Sequence, residues 1–374
     1  VNRLAAALCA VCLVQADLAL GQEKDPPPLP SGVPLEALER PPTSDNDKPP
    51  PADSTPQTEP ADEPVAAPEP CPAPVNRVPE LFGDQAPIGS LLRLPSGQIL
   101  GPGNIFVPSA RYFKISDNDS PLPQSRTYFS FNYFYNLNDN INQQLGGGIQ
   151  HTRIHREIFG VEWADDDQSV SWGLRLPIDT FNADHTVPGL DGTSTDIGDL
   201  SIILKWLLWR DQITGSLLSG GLAVTPPTGP GSFGGSNNIS AFHNTILQPY
   251  VGWIWINGPF YLQGFSAVNA PTDLNDVVLL DNSVAAGYYL YQNKNSGGLS
   301  AVVPTVEVHV NTPLNHRGIL RLSDPAGTPD LVDITGGIHF EYNDKSSMGV
   351  AFAVPVTGPR MFDFEILAQF RWRY

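Results

Sequence analysis

The chain has 374 residues, enough for two or three ordinary domains, and its composition divides it unevenly. With 39 acidic against 21 basic residues its net charge is -18, which excludes a polyanion such as nucleic acid as a partner. Cys9 and Cys12 lie near the start and leave Cys71 alone, so neither a disulfide framework nor a structural zinc site is available.

Residues 1–21 read as a secretory signal peptide. Arg3 gives a positive start, Leu4 to Val14 is apolar, and Ala19-Leu20-Gly21 offers small residues for cleavage. An anchoring helix is the rival reading, but Gln15 and Asp17 cut the apolar run short of the roughly 20 residues a span requires. No later stretch holds about 18 consecutive apolar residues. An exported chain without a spanning helix can still enter a membrane if it closes a barrel, which satisfies its backbone hydrogen bonds internally.

Residues 22–80 contain 18 of the 38 prolines, with 12 acids against 4 bases and few large apolar side chains. Such a segment cannot bury enough apolar surface to offset its ordering entropy. It is expected to be a disordered, acidic linker in the periplasm. From Leu81 to Gln124 apolar clusters (Leu81-Phe82, Ile88 to Leu94, Ile105 to Val107) alternate with Gly and Pro. This predicts ordered but irregular structure, either a plug inside a barrel or a cap over its mouth.

Residues 125–374 are a succession of strand-like runs. Phe129, Phe131, Tyr133 and Tyr135 share one face and oppose Ser130, Asn132 and Asn136; Val170 to Ile178 alternates likewise. Twelve such runs share about 250 residues, which suits strands of 9–11 residues each. Short turns (Asp165–Asp167, Arg210-Asp211, Asn257–Pro259, Asn343–Lys345) alternate with long Gly/Asn/Asp/Pro-rich loops, as periplasmic turns and external loops do in bacterial barrels. The last run is the clearest. Phe362, Phe364, Ile366, Ala368, Phe370, Trp372 and Tyr374 face one way; Asp363, Glu365, Gln369, Arg371 and Arg373 face the other. Period two with aromatics on one face is the demand of a strand between lipid and a wet lumen. The fold expected is all-β: an antiparallel transmembrane β-barrel of about twelve strands in the bacterial outer membrane.

On that reading the inward face carries Arg156, Glu162, Arg175, Lys205, Glu307, His309, His339, Glu341, Asp363, Glu365, Arg371 and Arg373. Paired with one another, these charges make a structural polar core; held apart, they select permeating ions. His151 and His155, four apart on a strand, do not make a helical metal pair. His309 and His339 beside Glu307 and Glu341 read as a hydrogen-bond cluster rather than a ligand set. Neither metal nor cofactor is expected. A lipase-like barrel enzyme needs a Ser activated by His at the lipid-facing rim. Ser130, Ser171 and Ser201 fall on polar faces and no Gly-x-Ser-x-Gly occurs, so no enzyme is expected.

Two stretches resemble a known family. Gly198-Asp199-Leu200 followed by Leu204-Lys205-Trp206, and Gly220 to Gly229 ending in Pro-Thr-Gly, resemble strands of the outer-membrane MetA-pathway phenol-degradation family. Gln248-Pro249-Tyr250-Val251 and the C-terminal aromatic are in keeping, whereas the Pro-rich arm and residues 81–124 depart from it. The resemblance implies a porin-like channel for passive passage of small, often aromatic, solutes and brings no catalytic residue. The expected partners are outer-membrane lipid, small solutes and, through the C-terminal strand, the barrel-assembly machinery. The alternative is a structural or adhesive surface barrel with an occluded lumen.

Overall fold

The computed structural model describes residues 78–84, 89–91, 106–108, 113–145, 149–185, 192–230, 243–293, 297–318, 324, 326–343 and 345–374. The stretch read as a signal peptide, and all of the stretch read as a Pro-rich linker except residues 78–80, lie outside the described residues.

Alternating side chains produce long antiparallel strands. In chain order these are β1 (Gly89–Leu91), β2 (Phe106–Pro108), β3 (Arg126–Tyr135), β4 (Ile149–Ala164), β5 (Val170–His185), β6 (Gly192–Ile197), β7 (Ser201–Arg210) and β8 (Leu217–Thr225). Then follow β9 (Ile246–Asn257), β10 (Phe260–Pro271), β11 (Leu279–Tyr288), β12 (Tyr291–Gln292), β13 (Leu299–Pro313), β14 (Leu331–Tyr342), β15 (Ser346–Pro355) and β16 (Phe364–Arg373). β1 and β2 pair only with each other. The remaining strands form one sheet that closes where β16 pairs with β3, from Phe364↔Tyr135 to Arg373↔Arg126. Twelve strands make the wall.

Two of the other pieces are appendages of that wall. β12 is a two-residue flap on β13. β6 continues the line of β7: both pair with β5, β6 opposite Ile178–Ala183 and β7 opposite Val170–Arg175. Gly198-Asp199-Leu200 sits between them as a bulge, where three residues face Leu176 and Pro177. Asp199 accepts from the Gly229 amide (2.7 Å), and the Leu200 amide donates to Thr228 (2.8 Å). The two motif stretches singled out in the sequence therefore clasp one another.

The start of the β3–β4 connection departs from expectation. A short helix, α1 (Asp139–Leu145), lies there, and β4 starts at Ile149, ahead of the run read from the sequence. At the far end Phe362 does not share the outward face of β16. It is buried against Phe134 (5.6 Å between ring centroids), because β16 begins only at Phe364.

The outer surface is apolar. Ile366, Phe370, Trp372, Val350, Phe352, Val306 and Val308 are all exposed, although water would penalise that much apolar area. Trp163, Trp172, Trp206, Trp255 and Trp372 gather toward the short-turn end, with Trp163 and Trp172 stacked at 4.4 Å. Tyr133, Tyr135, Phe352 and Phe364 gather toward the long-loop end, with Tyr135 and Phe364 stacked at 4.9 Å. Two aromatic girdles around an aliphatic band are the outer surface a lipid bilayer requires. Among the described residues no helix is long and apolar enough to cross a membrane.

Candidate functional site

The lumen is occupied by two stretches of the chain that belong to no wall strand. Residues 78–84 run from the short-turn end, where Val78 packs with Leu217, Ile254 and Ile256, toward the long-loop half, where Asp84 meets Asn311. Residues 113–124 run back: the Phe113 carbonyl accepts from Gln248, and Leu122 returns to the cluster holding Val78. The Leu81 amide donates to the Asp119 carbonyl, tying the two stretches together at 3.0 Å. The two stretches, together called the plug below, lie inside the wall and pack against its inward side chains.

At the short-turn end the wall is basic. Arg126, Arg175, Lys205, Arg371 and Arg373 point inward there, against Glu162 and Glu341 as the wall's acids. The plug supplies the missing carboxylates. Glu80 receives Arg371, Arg126 (3.5 Å) and Arg373 (3.4 Å), and accepts a hydrogen bond from Gln124 at 2.8 Å. Asp119 receives Arg126 at 2.6 Å and Lys205 at 2.9 Å. Both are buried. Burial alone would push the Glu80 carboxyl up, but Arg371, Arg373 and Arg126 hold it well below the usual carboxylate range. For Asp119, Lys205 and Arg126 likewise overcome burial.

Toward the long-loop half the wall turns acidic, with Asp179, Asp281, Glu307, Asp333 and Glu365 against Arg156 and His309. Here the plug offers a cation and two donor amides. Lys114 pairs with Asp84 within the plug. His309 lies between Asp84 (3.1 Å) and Glu307 (3.2 Å). Glu307 accepts from the amides of Phe82 (2.8 Å) and Gly83 (3.0 Å), fastening the plug to β13. Asp117 is the misfit: burial pushes its carboxyl up to about 7, against the pull of Lys114 and Arg175.

Between these levels the plug inserts an aromatic ring. Phe82 stacks on His339, centroids 4.0 Å apart and planes 15° from parallel. The ring rests where β14 and β15 carry Gly337 and Gly349; a Cβ on either would approach it to 2.4 or 2.7 Å. Ala351, Ala353 and Leu367 complete the slot. The Arg371 guanidinium reaches both subsites, touching Glu80 and lying 3.4 Å from His339 Nδ1.

Of the twelve residues assigned inward, eleven are buried inside the barrel: Arg156, Glu162, Arg175, Lys205, Glu307, His309, His339, Glu341, Glu365, Arg371 and Arg373. Some pair within the wall, as Arg156 does with Asp179, and Glu365 accepts from Asn132 at 2.6 Å. Asp363 is a correction. It precedes β16 at the long-loop rim, where it accepts from Asn136 (2.7 Å) and lies 3.8 Å from the exposed Arg360. Sequence reasoning missed Arg126, although it shares parity with the inward Ser130 and Asn132. It also missed Glu80, which falls at the end of the Pro-rich stretch 22–80. No local signal marks that residue, since its partners lie between 44 and 293 positions away. Among the described residues no group of His, Cys, Asp and Glu could hold a metal ion.

No family model matches the chain, and no curated protein matches it. Among solved structures it is similar to an outer membrane channel from Pseudomonas putida F1, at 11% identity over 68% of this chain and 97% of that one (TM-score 0.47). It is also similar to the transport unit of the autotransporter AIDA-I from Escherichia coli, at 12% identity over 70% and 93% (TM-score 0.41). The KdgM porin in complex with disordered oligogalacturonate matches at 7% identity over 66% and 99% (TM-score 0.37). The likeness is one of architecture.

Proposed function

We propose that the chain is an outer-membrane channel for small solutes, closed at rest by its own N-terminal segment. One observation carries this reading: a polar wall encloses a filler that is not part of the wall and is held by ion pairs and amide hydrogen bonds. A barrel built only as a scaffold can fill its interior with wall side chains, as eight-stranded barrels do. The outward girdles suit contact with lipid, and the position of Val78 at the short-turn end supports a periplasmic location for the arm. We assign the C-terminal strand, with Phe370, Trp372 and Tyr374 exposed, as the contact for the barrel-assembly machinery. Passage is passive. The resemblance to the phenol-degradation family favours hydrophobic or aromatic solutes.

The chain is read as a channel rather than an enzyme. Ser130, Ser171 and Ser201 face the interior, bonded to Asn118, Glu162 and Thr225 respectively. An occluded structural or adhesive barrel is the second reading, favoured by the near-complete pairing of plug and wall at the basic end. Planar-bilayer recording separates the two. Deletion of residues 78–124 should give a heat-modifiable, folded barrel with larger unitary conductance than the full chain. A folded deletion variant that conducts no more than the full chain removes the channel reading.

A further inference from the structure

We propose that Glu80 and Phe82 stand in for a solute, and that the lumen binds small aromatic carboxylates at the site these two side chains fill. Consider first the charge. Five bases against two acids at the short-turn end of the wall leave an excess of three positive charges, and buried charge is costly unless paired. The plug answers with carboxylates. Glu80 takes three guanidinium groups, the charge-assisted arrangement by which arginine recognises carboxylates.

The ring slot is a second, separate feature. Gly337 and Gly349 lie diagonally on adjacent strands, offset by two residues, since Gly337 pairs with Ala351 and His339 with Gly349, and they leave a flat depression in the wall. His339 closes one side of it by stacking. The depression takes a planar ring, here that of Phe82. Glu80 and Phe82 are two residues apart and meet the same part of the wall, Glu80 at Arg371 and Arg373 of β16 and Phe82 at His339, Gly337 and Gly349 of β14 and β15. Arg371 touches the carboxylate and the histidine that stacks on the ring. The pair of subsites therefore fits one molecule: a ring joined to a carboxylate through a few bonds. Access to the site rests on the channel reading above; binding at the site does not.

The test uses the full chain folded in detergent and 3-phenylpropanoate as the probe, with binding followed by titration calorimetry. The Glu80→Ala/Phe82→Ala variant vacates both subsites while retaining every wall residue. It should bind the probe at least about ten-fold more tightly than the wild-type chain, the scale of one charge-assisted hydrogen bond. Butanoate, which lacks the ring, and 3-phenylpropanamide, which lacks the charge, should each bind about ten-fold more weakly than the probe. Adding Arg371→Gln should abolish binding. The proposal is overturned if the folded double variant binds the probe no better than wild type, or binds the amide as well as the acid. Binding without conductance in bilayers would remove the channel reading and leave this site standing. Should the double variant not fold, Phe82→Ala alone, which keeps every ion pair, must bind benzyl alcohol more tightly than wild type or the slot is not a site.

Discussion

Glu365 and Ile366 are neighbours in sequence and live in different solvents. Ile366 is 45% exposed on the lipid-facing side, whereas Glu365 is fully buried and accepts from Asn132. Ile366→Arg places a charge in the aliphatic band between the two girdles and should cost about 2–4 kcal/mol if its depth is near the midplane. Glu365→Gln keeps the size and an acceptor oxygen for Asn132 and should cost far less. Refolding into lipid vesicles with urea titration measures both. Equal tolerance of the two substitutions would contradict the assignment of faces. This division was legible in the sequence, because a period of two is a local property and needs no knowledge of the partner strand. Only the start of the run departs: Phe362 and Asp363 follow the alternation on paper but precede the strand in space.

Among the elements, the plug is the one whose geometry depends on a single residue. Gly83 has φ +83°, a conformation that a side chain makes unfavourable. A Cβ there would also come within 2.3 Å of Asp117 Oδ1, at the contact between the two lumen stretches. Its amide holds Glu307 and its carbonyl accepts from Thr335. Gly83→Ala should therefore dislodge the plug while sparing the wall, since the residue belongs to no ladder. Expected outcomes are faster cleavage of the plug by added protease and more frequent channel openings, with heat-modifiable migration of the barrel unchanged. Unaltered cleavage and opening would show that the plug does not depend on this latch. The β6–β7 bulge is a different case. Its Gly198-Asp199-Leu200 and Pro-Thr-Gly stretches stood out in the sequence, yet that they clasp each other is a matter of strand register, which no local pattern states.

The whole molecule joins a wall and a filler with opposed charge requirements, and this makes docking sensitive to pH. Asp117 carries a carboxyl raised by burial to about 7, facing Lys114, Arg175, Asp84 and His309. Glu80, Asp84 and Asp119 are held below their ordinary range by their cationic partners and remain ionised above pH 5. A group whose carboxyl is raised on docking favours the docked state at low pH and loses that advantage as pH rises from its ordinary value toward the raised one. Docking should thus weaken between about pH 4 and 7, by at most about 1.4 kcal/mol per pH unit, and level off above. Open probability in bilayers at pH 5 and pH 8 reads the effect, and Asp117→Asn should flatten it. A wild-type channel that opens less at pH 8 than at pH 5 would reverse the sign and exclude Asp117 as the cause.

By itself the sequence determined the wall: twelve alternating runs, aromatic on the lipid side, charged on the other, with short turns at one end and long loops at the other. Each of these is imposed locally, by a strand with a different solvent on each face. What only the tertiary structure decided is the use of the lumen. Glu80 meets Arg371 across 291 residues and Phe82 finds its slot between Gly337 and Gly349, pairings that exist only once the barrel has closed around the chain that precedes it. Charges on a strand report which way they point. Which charge they meet depends on register, closure and the thread through the middle, and those are set by contacts between segments that the one-dimensional pattern does not bring together.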